Sequence, residues 1–169
     1  MTPPRTAPIQ ATDSMRLDAP AAAIWKVLTD FQAYSKWYPR RVGMSVVHAV
    51  PAGIGTELQF RPLGGRSFRC RVEELEAPHR ILIRYHGDFI TGTGTWLLEG
   101  ERAHTRATYR IDVIAHGVLV VLLARWLDLG KIHSGQMRVV LRDLGAEVRR
   151  RAVEAAGPRG SRARRSAHP

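Results

Sequence analysis

The sequence predicts an α+β fold: a curved antiparallel sheet of about seven strands wrapped on one long C-terminal helix, with two short helices after the first strand. Three observations predict it. Residues 18–39 read as a helix, a sharp joint at Asp30-Phe31, and a second short helix stopped by Pro39. From there to about residue 115, β-rich runs alternate with Gly- and Pro-containing turns, as an antiparallel meander requires. Beyond that, Met137, Val140, Leu141, Leu144 and Val148 recur at helical spacing and form one apolar stripe.

Each element has its own warrant. A first strand spans Ile9–Leu17, with Ile9, Ala11, Asp13, Met15 and Leu17 on one face; Asp13 interrupts the apolar pattern. Pro20 suits the start of a helix, where its missing N–H costs nothing. Ile24, Val27, Leu28 and Phe31 mark that helix's buried face, and Asp30 is placed to cap a second helical turn. Trp37 is read as packing that pins the short helices to the sheet. Strands follow over Val42–Val50, Thr56–Arg61, Ser67–Leu75, Arg80–His86, Phe89–Glu99 and Ala103–Val113. Phe68, Cys70 and Val72 alternate with Arg69, Arg71 and Glu73, the period of a half-buried strand. Gly92 and Gly94 interrupt a strand, which signals a bend, a bulge or a close approach. Such a sheet must cover its apolar face, and a C-terminal helix of about 20 residues, ~30 Å long, can do so.

Composition bounds the rest. The 169 residues carry a formal charge of +11, with 44% hydrophobic and 24% charged residues, which fits one globular domain with flexible ends. Residues 1–7 and 157–169 are expected to be disordered, leaving 8–156 as the folded domain. Seven arginines and one acid fall in residues 149–169, so 7 − 1 = 6 of the 11 excess charges lie in the tail. That tail is read as a solvated end, and nucleic acid is not an expected partner; the alternative is an interaction protein that uses the tail for RNA, ribosome or membrane, with peripheral membrane contact through residues 118–129 as well. Residues 118–129 are apolar nearly all round, and buried helix, lid and membrane-touching segment all fit them. The N-terminus has no apolar signal region and no run reaches membrane-span length, so a cytoplasmic protein is expected.

The order strand, two short helices, meander, long helix is the helix-grip arrangement, and particular residues add a resemblance. Ala19-Pro20, Ile24-Trp25, Leu28-Thr29-Asp30-Phe31, Tyr34 and Trp37-Tyr38-Pro39 resemble the N-terminal signature of the START/Bet v 1-like (SRPBCC) superfamily. The likeness is nearest to its bacterial polyketide cyclase/dehydrase and lipid-transport group. Gly53-Ile54-Gly55-Thr56, Glu73 with Ala77-Pro78-His79-Arg80-Ile81, and Gly94-Thr95-Trp96-Leu97-Leu98-Glu99 followed by Thr105-Arg106 support it, over about residues 8–155. These are scaffold features, and the group includes binders, transporters and cyclases, so fold alone does not assign the activity.

The resemblance implies a cavity between sheet and helix. Its expected lining is Leu58, Phe60, Phe68, Cys70, Ile83, Tyr85, Trp96, Tyr109, Ile111, Met137, Val140, Leu141 and Leu144. Apolar walls of this kind suit a lipid, polyketide or aromatic ligand. If the protein is an enzyme, His48 and Tyr109 are the candidate acid–base groups. His48 shares a strand face with Met44, Val46 and Val50, and imidazole titrates near ~6.5. Arg84, His86 and Asp88 form either a polar gate or a solvated strand end. His79, His104, His116 and His133 lack metal-ligand spacing, and Cys70 has no partner for nucleophilic chemistry, so no metal is expected. Phosphate-loop and dinucleotide fingerprints are missing, and no cofactor is expected.

Overall fold

In the computed structural model, which describes residues 6–61, 66–88, 90–101, 103–117 and 128–157, one seven-stranded antiparallel sheet carries the molecule. Strand β1 (Thr6–Leu17) is followed by β2 (Ser45–His48), β3 (Glu57–Phe60), β4 (Phe68–Glu76), β5 (Arg80–His86), β6 (Ile90–Glu101) and β7 (His104–His116). Their spatial order is β1-β7-β6-β5-β4-β3-β2, a meander from β2 to β7 with β1 returned alongside β7. The alternation in β7 does the expected work: Thr105, Ala107, Tyr109, Ile111 and Val113 are buried, while Arg106, Arg110 and Asp112 are exposed.

Helix α1 (Ala21–Thr29) buries Ile24, Val27 and Leu28. A 3-10 turn, Phe31–Ala33, runs directly into α2 (Tyr34–Trp37). The Tyr34 hydroxyl donates to the Leu28 carbonyl at 2.5 Å, tying the second unit to the end of the first. Trp37 is buried as packing requires. Helix α3 (Leu129–Ala156) has 28 residues, about 42 Å at the usual rise, and lies over the sheet. Asp128 caps it by accepting from the Lys131 N–H at 3.0 Å. The stripe Met137, Val140, Leu141, Leu144 and Val148 is buried throughout.

Several boundaries differ from the sequence expectation for identifiable reasons. The first strand begins at Thr6, inside the stretch expected to be disordered, because β7 runs on to His116 and pairs with it. The strand expected over Val42–Val50 shrinks to Ser45–His48; Arg40–Val42 forms a 3-10 turn instead, and Gly43 is left-handed after it. Asp30 makes no cap; its carboxylate instead lies 2.9 Å from Arg151 at the far end of α3. The alternatives for residues 118–127 and the tail beyond Gly157 concern segments outside the described residues. Among the described residues no helix is long and apolar enough to cross a membrane.

Candidate functional site

A cavity of about 360 Å³ lies between the sheet and the N-terminal half of α3. Of the residues expected to line it, Leu58, Phe60, Phe68, Ile83, Tyr85, Trp96, Tyr109, Ile111, Met137 and Val140 do so. Cys70, Leu141 and Leu144 do not. Cys70 sits between Leu58 and Tyr85 in the sheet, and its longer neighbours reach the space it cannot. Burial pushes its thiol up to about 12, which removes it from nucleophilic chemistry. Leu141 and Leu144 are fully buried core on the stretch of α3 beyond the cavity.

The wall also contains residues the sequence did not single out. Phe31, Tyr34 and Tyr38 come from the two-helix stretch, which closes one end of the cavity as the helix-grip layout implies, and these are the side chains that do it. Their rings begin a chain of contacts: Phe31 to Tyr34 at 5.6 Å, Tyr34 to Tyr38 at 5.6 Å, Tyr38 to Phe60 at 6.0 Å. Phe60 to Phe68 at 5.5 Å and Phe68 to Tyr85 at 5.6 Å carry the chain across the sheet. The spacing 31, 34, 38 was the available signal. Leu129, Ile132, His133 and Gln136 extend the cavity face of α3 upstream, at the same helical period as Met137 and Val140.

Two polar features interrupt this apolar wall. The first is a pair of phenols. Tyr85 Oη and Tyr109 Oη are 2.6 Å apart and buried. Burial holds both hydroxyls well above the usual tyrosine range, so they remain protonated. Gly94 makes the pair possible: it stands between the two strands, and a Cβ there would lie 2.1 Å from Tyr109 Oη and 3.0 Å from Tyr85 Cε2. The close approach signalled by Gly94 is thus an approach of side chains. At Gly92 the cause is the backbone, with φ of +137°.

The second feature is His133 with Asp13. Asp13 interrupts the apolar face of β1 because it points at α3: its Oδ2 accepts from Ser134 Oγ at 2.9 Å and lies 4.0 Å from His133 Nδ1. Asp13 is also the cross-strand partner of Tyr109, whose ring stacks on the imidazole at 5.9 Å. Burial lowers the His133 pKa, and the Asp13 charge opposes that shift. Neutral imidazole therefore prevails at pH 7.

His48, by contrast, is exposed. The pairing of β2 with β3 slips between Val46 and His48, so the two no longer share an inward face. Arg84 pairs with Glu73 at 2.6 Å on the outer face and Asp88 is exposed, so these two read as a solvated strand end rather than a gate, while His86 is half-buried with Nε2 unpartnered. His104 binds Asp18 at 2.9 Å and His116 binds Thr91 at 2.8 Å. Among the described residues no three His, Cys, Asp or Glu side chains gather as a metal site would require.

An apolar cavity gripped between an antiparallel sheet and a C-terminal helix agrees with the sequence relationship. Residues 8–149 match the family model described as polyketide cyclase/dehydrase and lipid transport. The chain belongs to this family. No curated protein matches it. Among solved structures, the Zhui aromatase/cyclase from Streptomyces sp. R1128 is similar with a TM-score of 0.71 at 18% identity, covering 89% of this chain and 99% of that one. Norcoclaurine synthase from Thalictrum flavum, in complex with dopamine and hydroxybenzaldehyde, gives 0.65 at 10% identity, covering 86% and 89%. A START superfamily protein from Mycobacterium smegmatis gives 0.63 at 17% identity, covering 83% and 97%. At these identities the likeness is one of fold.

Proposed function

We propose that the protein binds a hydrophobic small molecule, an aromatic or polyketide-like compound, in the cavity between sheet and α3. The observation that carries this reading is the wall itself: aliphatic and aromatic side chains interrupted by a hydroxyl pair, one imidazole and the Gln136 amide. Such a site desolvates a ring system and fixes its orientation through few polar contacts. A volume of about 360 Å³ suits a compact ring system better than a two-chain lipid. Native mass spectrometry of protein purified from its own host tests the reading. A copurified hydrophobic small molecule, released by organic solvent, is the expected result. A ligand-free protein that also fails to bind hydrophobic aromatic probes would sink it.

One observation favours a second reading, acid–base catalysis of cyclisation or dehydration on the bound molecule. His133 faces the cavity with a carboxylate behind it, an arrangement suited to moving a proton. There the imidazole would accept a proton from a carbon between two carbonyls, and the tyrosine pair would donate to the oxygen that takes up the charge. Turnover of a poly-β-keto thioester, abolished in His133→Phe and retained in His48→Ala, is the outcome this second reading requires. Arg150 of the basic segment pairs with Glu147 and Glu154 within α3, and Arg151 joins Glu147 to Asp30 at the end of α1, contacts that support a structural role for both.

A further inference from the structure

Three elements converge on one point of the cavity wall: β1 through Asp13, β7 through Tyr109 and α3 through His133. The His133 Nδ1 is buried and without a hydrogen-bond partner. A carboxylate oxygen at 4.0 Å favours the tautomer that carries its proton on that nitrogen. Nε2 then bears the lone pair and is the nitrogen left for a cavity occupant. Ser134 donates to the same Asp13 oxygen at 2.9 Å and fixes the carboxylate beside the ring. The groups facing His133 are therefore Asp13 from β1 and Tyr109 from β7, with Tyr85 of β5 bound to Tyr109.

The phenol pair supplies the complementary half. Two hydroxyls hold two protons, and only one lies in the bond between them. The other is free to donate into the cavity. The wall thus presents an acceptor, the imidazole, next to a donor, the leftover hydroxyl, on a mostly apolar surface that also carries the Gln136 amide and the Tyr38 hydroxyl. A ligand matched to both carries a hydroxyl that donates and an oxygen that accepts. An acidic hydroxyl suits the imidazole best, because charge-assisted hydrogen bonds are the stronger ones and Asp13 stabilises any positive charge that develops on the ring.

We propose that the cavity selects hydrophobic ligands bearing a phenolic or enolic hydroxyl, which donates to Nε2 of His133 while Asp13 positions the imidazole. This rests on the cavity-binding reading above. The test uses the full chain with 2-naphthol and 2-methoxynaphthalene, which share a ring system and differ in the ability to donate. Titration calorimetry is expected to show 2-naphthol binding about tenfold more tightly than the ether. His133→Phe keeps a flat ring and should bring the two probes to equal affinity. Asp13→Asn should reduce the preference part of the way. In the unaltered protein the preference should vanish on acidification below the ordinary histidine range, where the lone pair is protonated; this readout stands even where a variant fails to fold. Equal affinities for the two probes, or a preference that survives in His133→Phe, overturns the proposal while leaving cavity binding intact. Failure of both probes to bind removes the cavity-binding reading as well.

Discussion

The two halves of α3 meet the same sheet and do opposite things. From Leu129 to Val140 the inward residues border open space, and His133 and Gln136 stand among them. From Leu141 to Val148 the inward residues are Leu141, Leu144 and Val148, all buried in continuous core with Ile24, Val27 and Leu28 of α1. Beyond the core the second half ends in an ion cluster: Glu147 takes Arg150 at 2.6 Å and Arg151 at 2.8 Å, and Arg151 reaches Asp30 at 2.9 Å. One end of the helix is fastened to α1 and the core, and the other meets the sheet at the β1 edge, through Ser134 and Asp13, with the cavity beside it. A cavity in this fold requires that arrangement, because a sheet and helix packed along their whole length leave no room for a ligand.

The largest effect that should separate the halves is at Leu144, which is 0% exposed. Leu144→Ala is expected to cost about 3 kcal/mol of stability through lost burial and a residual void. Ligand affinity of the folded fraction should stay unchanged, because Leu144 does not border the cavity. Urea denaturation alongside probe titration checks both. A loss below about 1 kcal/mol would mean that this half collapses as readily as an unfilled site.

Glu147 comes next. Its carboxyl is held down to about 2, chiefly by hydrogen bonds from Arg150, with Arg151 adding to them. The folded pKa lies below the unfolded value of ~4.3, so the stabilisation is fully present above that value. It is lost as pH falls toward about 2, where the folded carboxyl takes up its proton. Glu147→Gln is expected to cost about 2 kcal/mol at neutral pH. It should also flatten the fall in stability between pH 5 and pH 2, a range set by these two pKa values. A variant whose pH profile parallels the unaltered protein would show that other carboxylates govern acid unfolding.

How far these halves could be read from sequence follows from their chemistry. The core half was legible because Leu141, Leu144 and Val148 continue an apolar period that begins at Met137 and Val140. The cavity half continues the same period at 129, 132, 133 and 136, but His133 and Gln136 break the hydrophobic signal, so the stripe seemed to begin at Met137. Strand alternation placed eight of the expected cavity residues on the wall, and the helical stripe placed Met137 and Val140 there. It misplaced His48, because a register slip is set by pairing geometry and leaves no mark in local composition. Asp13 looked like a defect in β1. Its partners Ser134 and His133 are about 120 residues away, and only the folded β1–α3 contact explains a carboxylate on an inward face.

The smallest effect on stability, and the sharpest on the site, is expected at Gly94. Added as alanine, a Cβ would lie 2.1 Å from Tyr109 Oη, so the phenol has to move. It has little freedom: Trp96 lies against the ring at 4.8 Å and His133 stacks on it at 5.9 Å. The gain from replacing a glycine, which loses the most backbone entropy on folding, offsets part of the overpacking. We therefore expect Gly94→Ala to lower stability by only about 1 kcal/mol. The 2.6 Å bond between Tyr85 and Tyr109 should break, and affinity for a ligand that uses the free hydroxyl should fall about fivefold, the worth of one ordinary hydrogen bond. Replacing both phenols, Tyr85→Phe together with Tyr109→Phe, should reproduce the loss of affinity without the steric strain, because either hydroxyl alone keeps a proton to donate. If Gly94→Ala binds as well as the unaltered protein while the double Tyr85→Phe, Tyr109→Phe variant does not, the phenol pair can re-form around a Cβ, and the glycine answers to strand packing rather than to the ligand.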